Sequence, residues 1–259
     1  METPIKHVSI IPSYALGFTY IWDISDALED TAPWKFVVEE AAGPVGPWKA
    51  ASPVLVNKYR FSETRRRLIN KNEVLYFRIK MATPENTYYS AVVTPYGDLA
   101  RREYLIAKEV MRKEILHAQT LAGVRGQLWL VSTFGPKCIS CRDPITGMIR
   151  DSSCPLCLGT GRVPPYNGPY ETYWTVSPTT RTTQLAPDGT GAREPFQFEI
   201  RTVGTPASKK NDLVVDMNSG KRYYVDVVQV AAELQRIPVV QTLVVHEAPV
   251  SDIAYTLHE

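Results

Sequence analysis

Cysteine is scarce and confined: the 259 residues hold four, all between positions 138 and 157. That excludes a disulfide framework spread through a small secreted fold and points to a single metal. An excess of charge of one sign is also missing. Lys plus Arg number 29 against 27 Asp plus Glu, a net charge of +2, too near zero for the electrostatic footprint of a dedicated nucleic-acid coat. No apolar run reaches the roughly 20 residues that a membrane span needs. The N-terminal METPIKHVSIIPSYALGF lacks a basic leader followed by a long apolar stretch and a cleavage site, so the chain reads as soluble and unsecreted. There is no Gly-x-Ser-x-Gly elbow, phosphate-binding glycine loop, His-Glu-x-x-His or recognisable carboxylate pair. The four histidines, His7, His117, His246 and His258, are scattered. The expectation is a protein that is not an enzyme.

Apolar residues make up 44% and charged residues 22%, which excludes disorder as the main state. Twenty Pro and 15 Gly break the chain too often for a long-helix bundle. Fourteen Tyr and five Trp, with many Val and Thr, suit pleated, half-buried surfaces. The reading is therefore mainly β and multi-domain, in four parts.

Residues 1–97 contain strand-length apolar runs, FTYIWDI (18–24), WKFVVEEA (34–41), PVLVNKYRF (53–61), EVLYFRIKMA (73–82) and TYYSAVVT (87–94), separated by breaks such as GPVGP and TPEN. In the fourth run Leu75, Phe77, Ile79 and Met81 alternate with Val74, Tyr76, Arg78 and Lys80, so the first set should face a core. Such strands fit an antiparallel sandwich. With Trp22, Trp34, the Tyr76–Ile79 strand and Tyr88-Tyr89-Ser90-Ala91, the segment resembles a fibronectin type III or immunoglobulin-like module, which implies a spacer or binding platform. Arg65, Arg66 and Arg67, near Arg60 and Lys71, form the densest basic cluster. It reads as a solvated turn or as a contact for DNA or an acidic partner.

Residues 98–123 form the one expected helix, with Asp98 as N-cap and Gly123 as the stop. Leu99, Ile106, Val110, Ile115, Leu116 and Leu121 supply an apolar stripe, to dock on a sheet or on a neighbouring subunit; mixed bases and acids, with His117 near the C-terminal end, cover the rest.

Residues 124–167 hold a strand, QLWLVSTFG (127–135), and then Cys138-x2-Cys141 and Cys154-x2-Cys157. Two residues between cysteines allow a knuckle in which both sulfurs point to one centre, and two knuckles supply the four thiolates that Zn²⁺ accepts. Iron in four thiolates, or two disulfides, is the alternative. Four sulfurs fill the coordination sphere, so the zinc is expected to be structural. Cys154-Pro155-Leu156-Cys157-Leu158-Gly159-Thr160-Gly161 resembles one repeat of the zinc region of J-domain co-chaperones, while Cys138-Ile139-Ser140-Cys141 departs from it and no J-domain accompanies it. A generic zinc ribbon is the better description. Its four bases, Lys137, Arg142, Arg150 and Arg162, outnumber Asp143 and Asp151.

Residues 168–259 return to strands: ETYWTVSPT, PFQFEIRTVG, a hairpin turning at Asn218-Ser219-Gly220, and IPVVQTLVVHEAP. Residues 180–195 read as a long loop without apolar periodicity. Asp212, Val214, Val215, Gly220, Arg222, Tyr223, Val225, Ile237, Pro238, Leu243, Pro249, Asp252 and Tyr255 resemble the pattern of the small β-barrel in head-tail connector and head-closure proteins of tailed bacteriophages. The resemblance implies a structural virion protein at the neck, assembled in the host cytoplasm as a ring of its own copies between portal and tail proteins. DNA would pass through its channel, and no membrane or small-molecule substrate is involved. Residues 1–14 and 180–195 would order against neighbours. A zinc-ribbon nucleic-acid-binding protein, and a tail, baseplate or surface adhesion protein, are the alternative functions.

Overall fold

A computed structural model describes residues 4–13, 17–25, 33–63, 75–83, 86–95, 100–121, 123–133, 135–143, 146, 148–176, 197–235 and 237–257. Residues 180–195, Asp98, Leu99 and His258 lie outside them. The protein is mainly β, with several antiparallel sheets and one α-helix among the described residues. The chain divides into two compact units, Met1–Lys108 and Glu109–Glu259.

The first unit holds β1 (Ile5–Ser13), β2 (Gly17–Ile24), β3 (Lys35–Ala41), β4 (Lys49–Ala50), β5 (Leu55–Val56), β6 (Arg60–Ser62), β7 (Tyr76–Ala82) and β8 (Thr87–Tyr89). One sheet runs β1-β2-β6; the other runs β4-β3-β7-β8, with β5 also on β3. Aromatic rings join the two sheets face to face. Tyr20 and Phe18 of β2 meet Phe77 of β7 edge-on at 5.1 and 5.4 Å, and Trp22 meets Phe36 of β3 at 5.5 Å. Phe77, Ile79 and Met81 are fully buried, as the alternation of β7 predicts.

Two segments depart from expectation. Residues 5–13, which are not among the strand-length runs read from the sequence, supply β1, which pairs along β2 from Ile5 to Ser13. Lys6, His7 and Ser9 interrupt its apolar pattern because only part of the strand is covered. The run at 53–61 splits into β5 and β6 because Asn57 between them takes φ +51°, where its side chain accepts from the Trp34 amide at 2.8 Å.

The helix α1 (Arg101–Leu121) ends where the Gly123 amide donates to the Ala118 carbonyl at 2.7 Å. Its buried residues are Tyr104, Ala107, Met111, Ile115 and Ala118. Of the expected stripe only Ile115 is buried; Ile106, Val110, Leu116 and Leu121 are exposed. The buried face is thus rotated from the expected stripe, and on it Met111 meets Thr205, whose hydroxyl lies 3.1 Å from its sulfur. No described helix is long and apolar enough to cross a membrane.

The second unit is built on β9 (Val124–Val131), β10 (Tyr166–Val176), β11 (Gln197–Val203), β12 (Leu213–Asp216), β13 (Arg222–Leu234) and β14 (Ile237–Glu247). They close into an antiparallel barrel in the order β10-β11-β14-β13-β12-β9. The barrel therefore begins at 124 and not at the expected boundary of 168, because β9 hydrogen-bonds to both β10 and β12. The expected hairpin is present. Asp216 caps its turn, accepting from the Asn218 amide at 2.8 Å and the Ser219 hydroxyl at 2.7 Å. A 3-10 turn, Ile253–Thr256, buries Ala254 beside Trp129, Tyr166 and Leu213.

Candidate metal centre

The cysteine segment connects β9 to β10. Each knuckle is shaped by backbone hydrogen bonds that turn the sulfurs inward. Cys138 donates its amide to the Gly161 carbonyl at 3.0 Å, and the Cys141 carbonyl accepts from Arg150 at 2.7 Å. The Cys154 carbonyl accepts from Leu158, and that of Cys157 from Thr160, both at 2.8 Å. Gly159 stands at φ +74° with Ser152 O only 2.6 Å from where a Cβ would lie, so no side chain fits there. An ion pair between Arg150 and Asp143, 2.6 Å, braces the intervening hairpin.

All four sulfurs lie within 4.8 Å of one another, and all four cysteines are buried and free. Cys138 and Cys154 are 3.9 Å apart, and Cys141 and Cys157 3.1 Å. Burial opposes ionisation of Cys138, but hydrogen bonds from the backbone of Cys141 and Ser140 and from neighbouring thiols overcome it and bring the group down to about 7. Cys141 is pushed well above the ordinary thiol range, first by the Cys157 sulfur beside it and then by burial. Burial likewise raises Cys157. Four sulfurs this close cannot all be thiolates without a cation among them. The donor set thus fits a metal ion, and with four ligands it leaves no position open for a reacting water.

The ribbon is anchored to the barrel. Leu158, next to Cys157, packs on the cluster of Trp129, Tyr166 and Leu213, and Arg162 donates to the Gly135 carbonyl. Its turns expose large apolar side chains: Ile139 is 94% accessible, Met148 72% and Leu156 57%.

Of the residues singled out in the sequence, the structure unites the four cysteines. Arg65, Arg66 and Arg67 lie outside the described residues. His117 is exposed on α1. His246 has a carboxylate partner that the sequence conceals, Asp226 on the adjacent strand at 2.7 Å. Asp212, named in the sequence only as part of the connector-like pattern, is buried and accepts from the amides of Val131 at 2.8 Å and Lys209 at 2.6 Å. Burial lifts its carboxyl to about 7 against the pull of those donors. Nearby, Asp252 accepts from the Tyr224 hydroxyl at 2.8 Å, and burial raises Tyr224 strongly. Only the tertiary fold brings these groups together.

Comparison with protein-family models, with curated proteins and with solved structures finds no match to this chain.

Proposed function

We propose that this chain is a structural subunit of a tailed-phage particle, a head-tail connector component that assembles in copies between portal and tail and performs no catalysis. The observation that carries the reading is how the residues of the connector-like pattern are used. Each of several polar members holds the barrel together. Asp212 ties β9 to the loop before β12. The Arg222 guanidinium lies over the Tyr255 ring at 5.2 Å and donates to the Leu257 carbonyl, and Asp252 caps the C-terminal turn. A pattern whose polar residues are spent on barrel closure supports a scaffold role. The virion neck is its proposed location and DNA the proposed occupant of the ring's channel.

The metal in this reading is zinc, held by Cys138, Cys141, Cys154 and Cys157 in a structural role. Zinc–sulfur bonds of about 2.3 Å place tetrahedral sulfurs about 3.8 Å apart. The Cys138–Cys154 separation of 3.9 Å is close to that edge, and the 3.1 Å pair opens slightly to reach it. The metal stabilises a segment that has too little apolar area to fold alone, a contribution on the order of 10 kcal/mol for a structural zinc.

Mass measurement of the purified chain, alone and with portal and tail proteins, tests the reading. A closed ring of identical copies is expected. A chain that stays monomeric and never joins portal, tail or particle would sink it.

A further inference from the structure

The ribbon and a cleft of the same unit occupy opposite ends of one hairpin. Val131 pairs with Tyr166 at the end from which the ribbon springs, and Val124 pairs with Trp174 at the other. The length of β9, roughly 23 Å at about 3.3 Å per residue, separates them. At the second end, Val124, Trp174, Phe198 and Tyr223 line a cavity of about 220 Å³. Phe198 and Tyr223 stand edge-to-face there at 5.1 Å. Asp216 and Glu247 rim the cavity with Lys221, which is paired to Glu247 at 2.8 Å, leaving one net negative charge.

The ribbon has the complementary character. Its knuckles and hairpin turn present Ile139, Met148 and Leu156 to solvent on a framework fixed by the cysteines, and residues 137–162 carry a net charge of +2. Large apolar side chains exposed on one cysteine-held segment mark an interaction site, and an aromatic cleft of this size takes one such side chain. Within one chain they cannot meet, because the strands of the hairpin hold them apart.

We infer that the ribbon of one copy seats in the aromatic cleft at the far end of the next copy's barrel, with Ile139 as the inserted side chain and the ribbon's bases facing Asp216 and Glu247. This rests on the ring-assembly reading and names its contact. A knob and cleft at opposite ends of a subunit make a heterologous, head-to-tail interface, which generates a ring when the rotation closes.

Complementation between two variants of the full chain tests it. Ile139→Asp spoils the knob and leaves the cleft intact; Val176→Trp fills the cleft and leaves the knob intact. Glu247→Arg is a second cleft variant that reverses the rim charge and breaks the ion pair with Lys221. Each protein is first checked for its metal content and circular dichroism, then weighed by mass photometry across a dilution series. The wild type is expected to form the ring. Each variant alone should need at least tenfold higher concentration to associate. Mixing Ile139→Asp with Val176→Trp should give a species of two chains and no larger one, since only one good contact can form. If all three folded variants assemble as the wild type does, the contact is wrong and the ring reading stands. A wild type that is monomeric at every concentration removes both. If Ile139→Asp assembles normally but loses retention on duplex DNA, the ribbon is a nucleic-acid surface and the inference is overturned.

Discussion

Val131 and Tyr166 face each other across the antiparallel β9–β10 pair, so the whole cysteine segment is the connection of a single barrel hairpin. The neck of that connection is closed without the metal. The Ser132 amide donates to the Pro165 carbonyl at 2.9 Å, and the Asn167 side chain donates to the Ser132 hydroxyl at 3.1 Å, both buried. A barrel built this way keeps its strand pairing whatever happens in the ribbon.

Removing the metal should therefore unfold the ribbon and spare the barrel. One zinc per chain is expected by elemental analysis, and Cys154→Ser or a chelator should release it. Hydrogen exchange should then speed up at the amides of Cys138, Arg150, Leu158 and Thr160, which are bonded inside the ribbon, by the full protection they had. The amides of Val225 and Val245 in the barrel core should be unchanged. Retention of all ribbon protection without metal, with mass showing two disulfides, would replace zinc with covalent cross-links.

Gly126 is a point at which the barrel has no room for a side chain. A Cβ there would lie 1.9 Å from the Trp174 ring and 2.4 Å from the Val215 carbonyl. Gly126→Ala should cost about 1–3 kcal/mol, as overpacking of a filled site does. Denaturant unfolding of the barrel tests this, and a variant as stable as the parent would show that Trp174 moves aside freely.

In the sandwich, the Trp22 ring is fully buried, and its indole N–H has no hydrogen-bond partner among the described residues. Trp22→Ala should cost about 3–5 kcal/mol, the usual penalty for emptying an aromatic site. Trp22→Phe keeps a ring against Phe36 and discards an unpaired donor, so it should cost less than half as much. Equal losses for the two variants would mean that the indole nitrogen is bonded in solution. Neither change should alter the metal content.

The strands of the sandwich were legible wherever one face alone is covered, as at β7, because period-two alternation records that geometry directly. β1 was not, since a partly covered strand carrying Lys6 and His7 leaves no clean alternation. The clustering of the four cysteines was legible because their spacing is a local property: two residues between cysteines suffice to make a knuckle. The buried face of α1 was misread. Its buried residues mix Tyr104, Met111 and Ile115 with Ala107 and Ala118, and the partner that accepts Met111 is Thr205, distant in sequence. The Asp226–His246 and Asp212 arrangements are products of strand register, which no single segment encodes.

Asp212 should give the barrel a distinctive pH dependence. Burial raises its carboxyl to about 7 in the folded protein, while an aspartate in the unfolded chain titrates near ~4. Between these values the folded state holds a proton that the unfolded state has lost. Its contribution to stability is thus full below about pH 4, declines as pH rises, and is gone above about pH 7, with a slope of at most about 1.4 kcal/mol per pH unit. Asp212→Asn removes the titration, keeps one acceptor oxygen and turns the other position into a donor facing an amide, which offsets the level of stability by an amount that does not vary between pH 4 and 8. The slope, not the level, is the signature. Subtracting the variant's unfolding midpoints from those of the parent between pH 4 and 8 should leave a difference that shrinks with rising pH. A flat or growing difference would mean that the amides of Val131 and Lys209 outweigh burial and hold Asp212 ionised throughout that range.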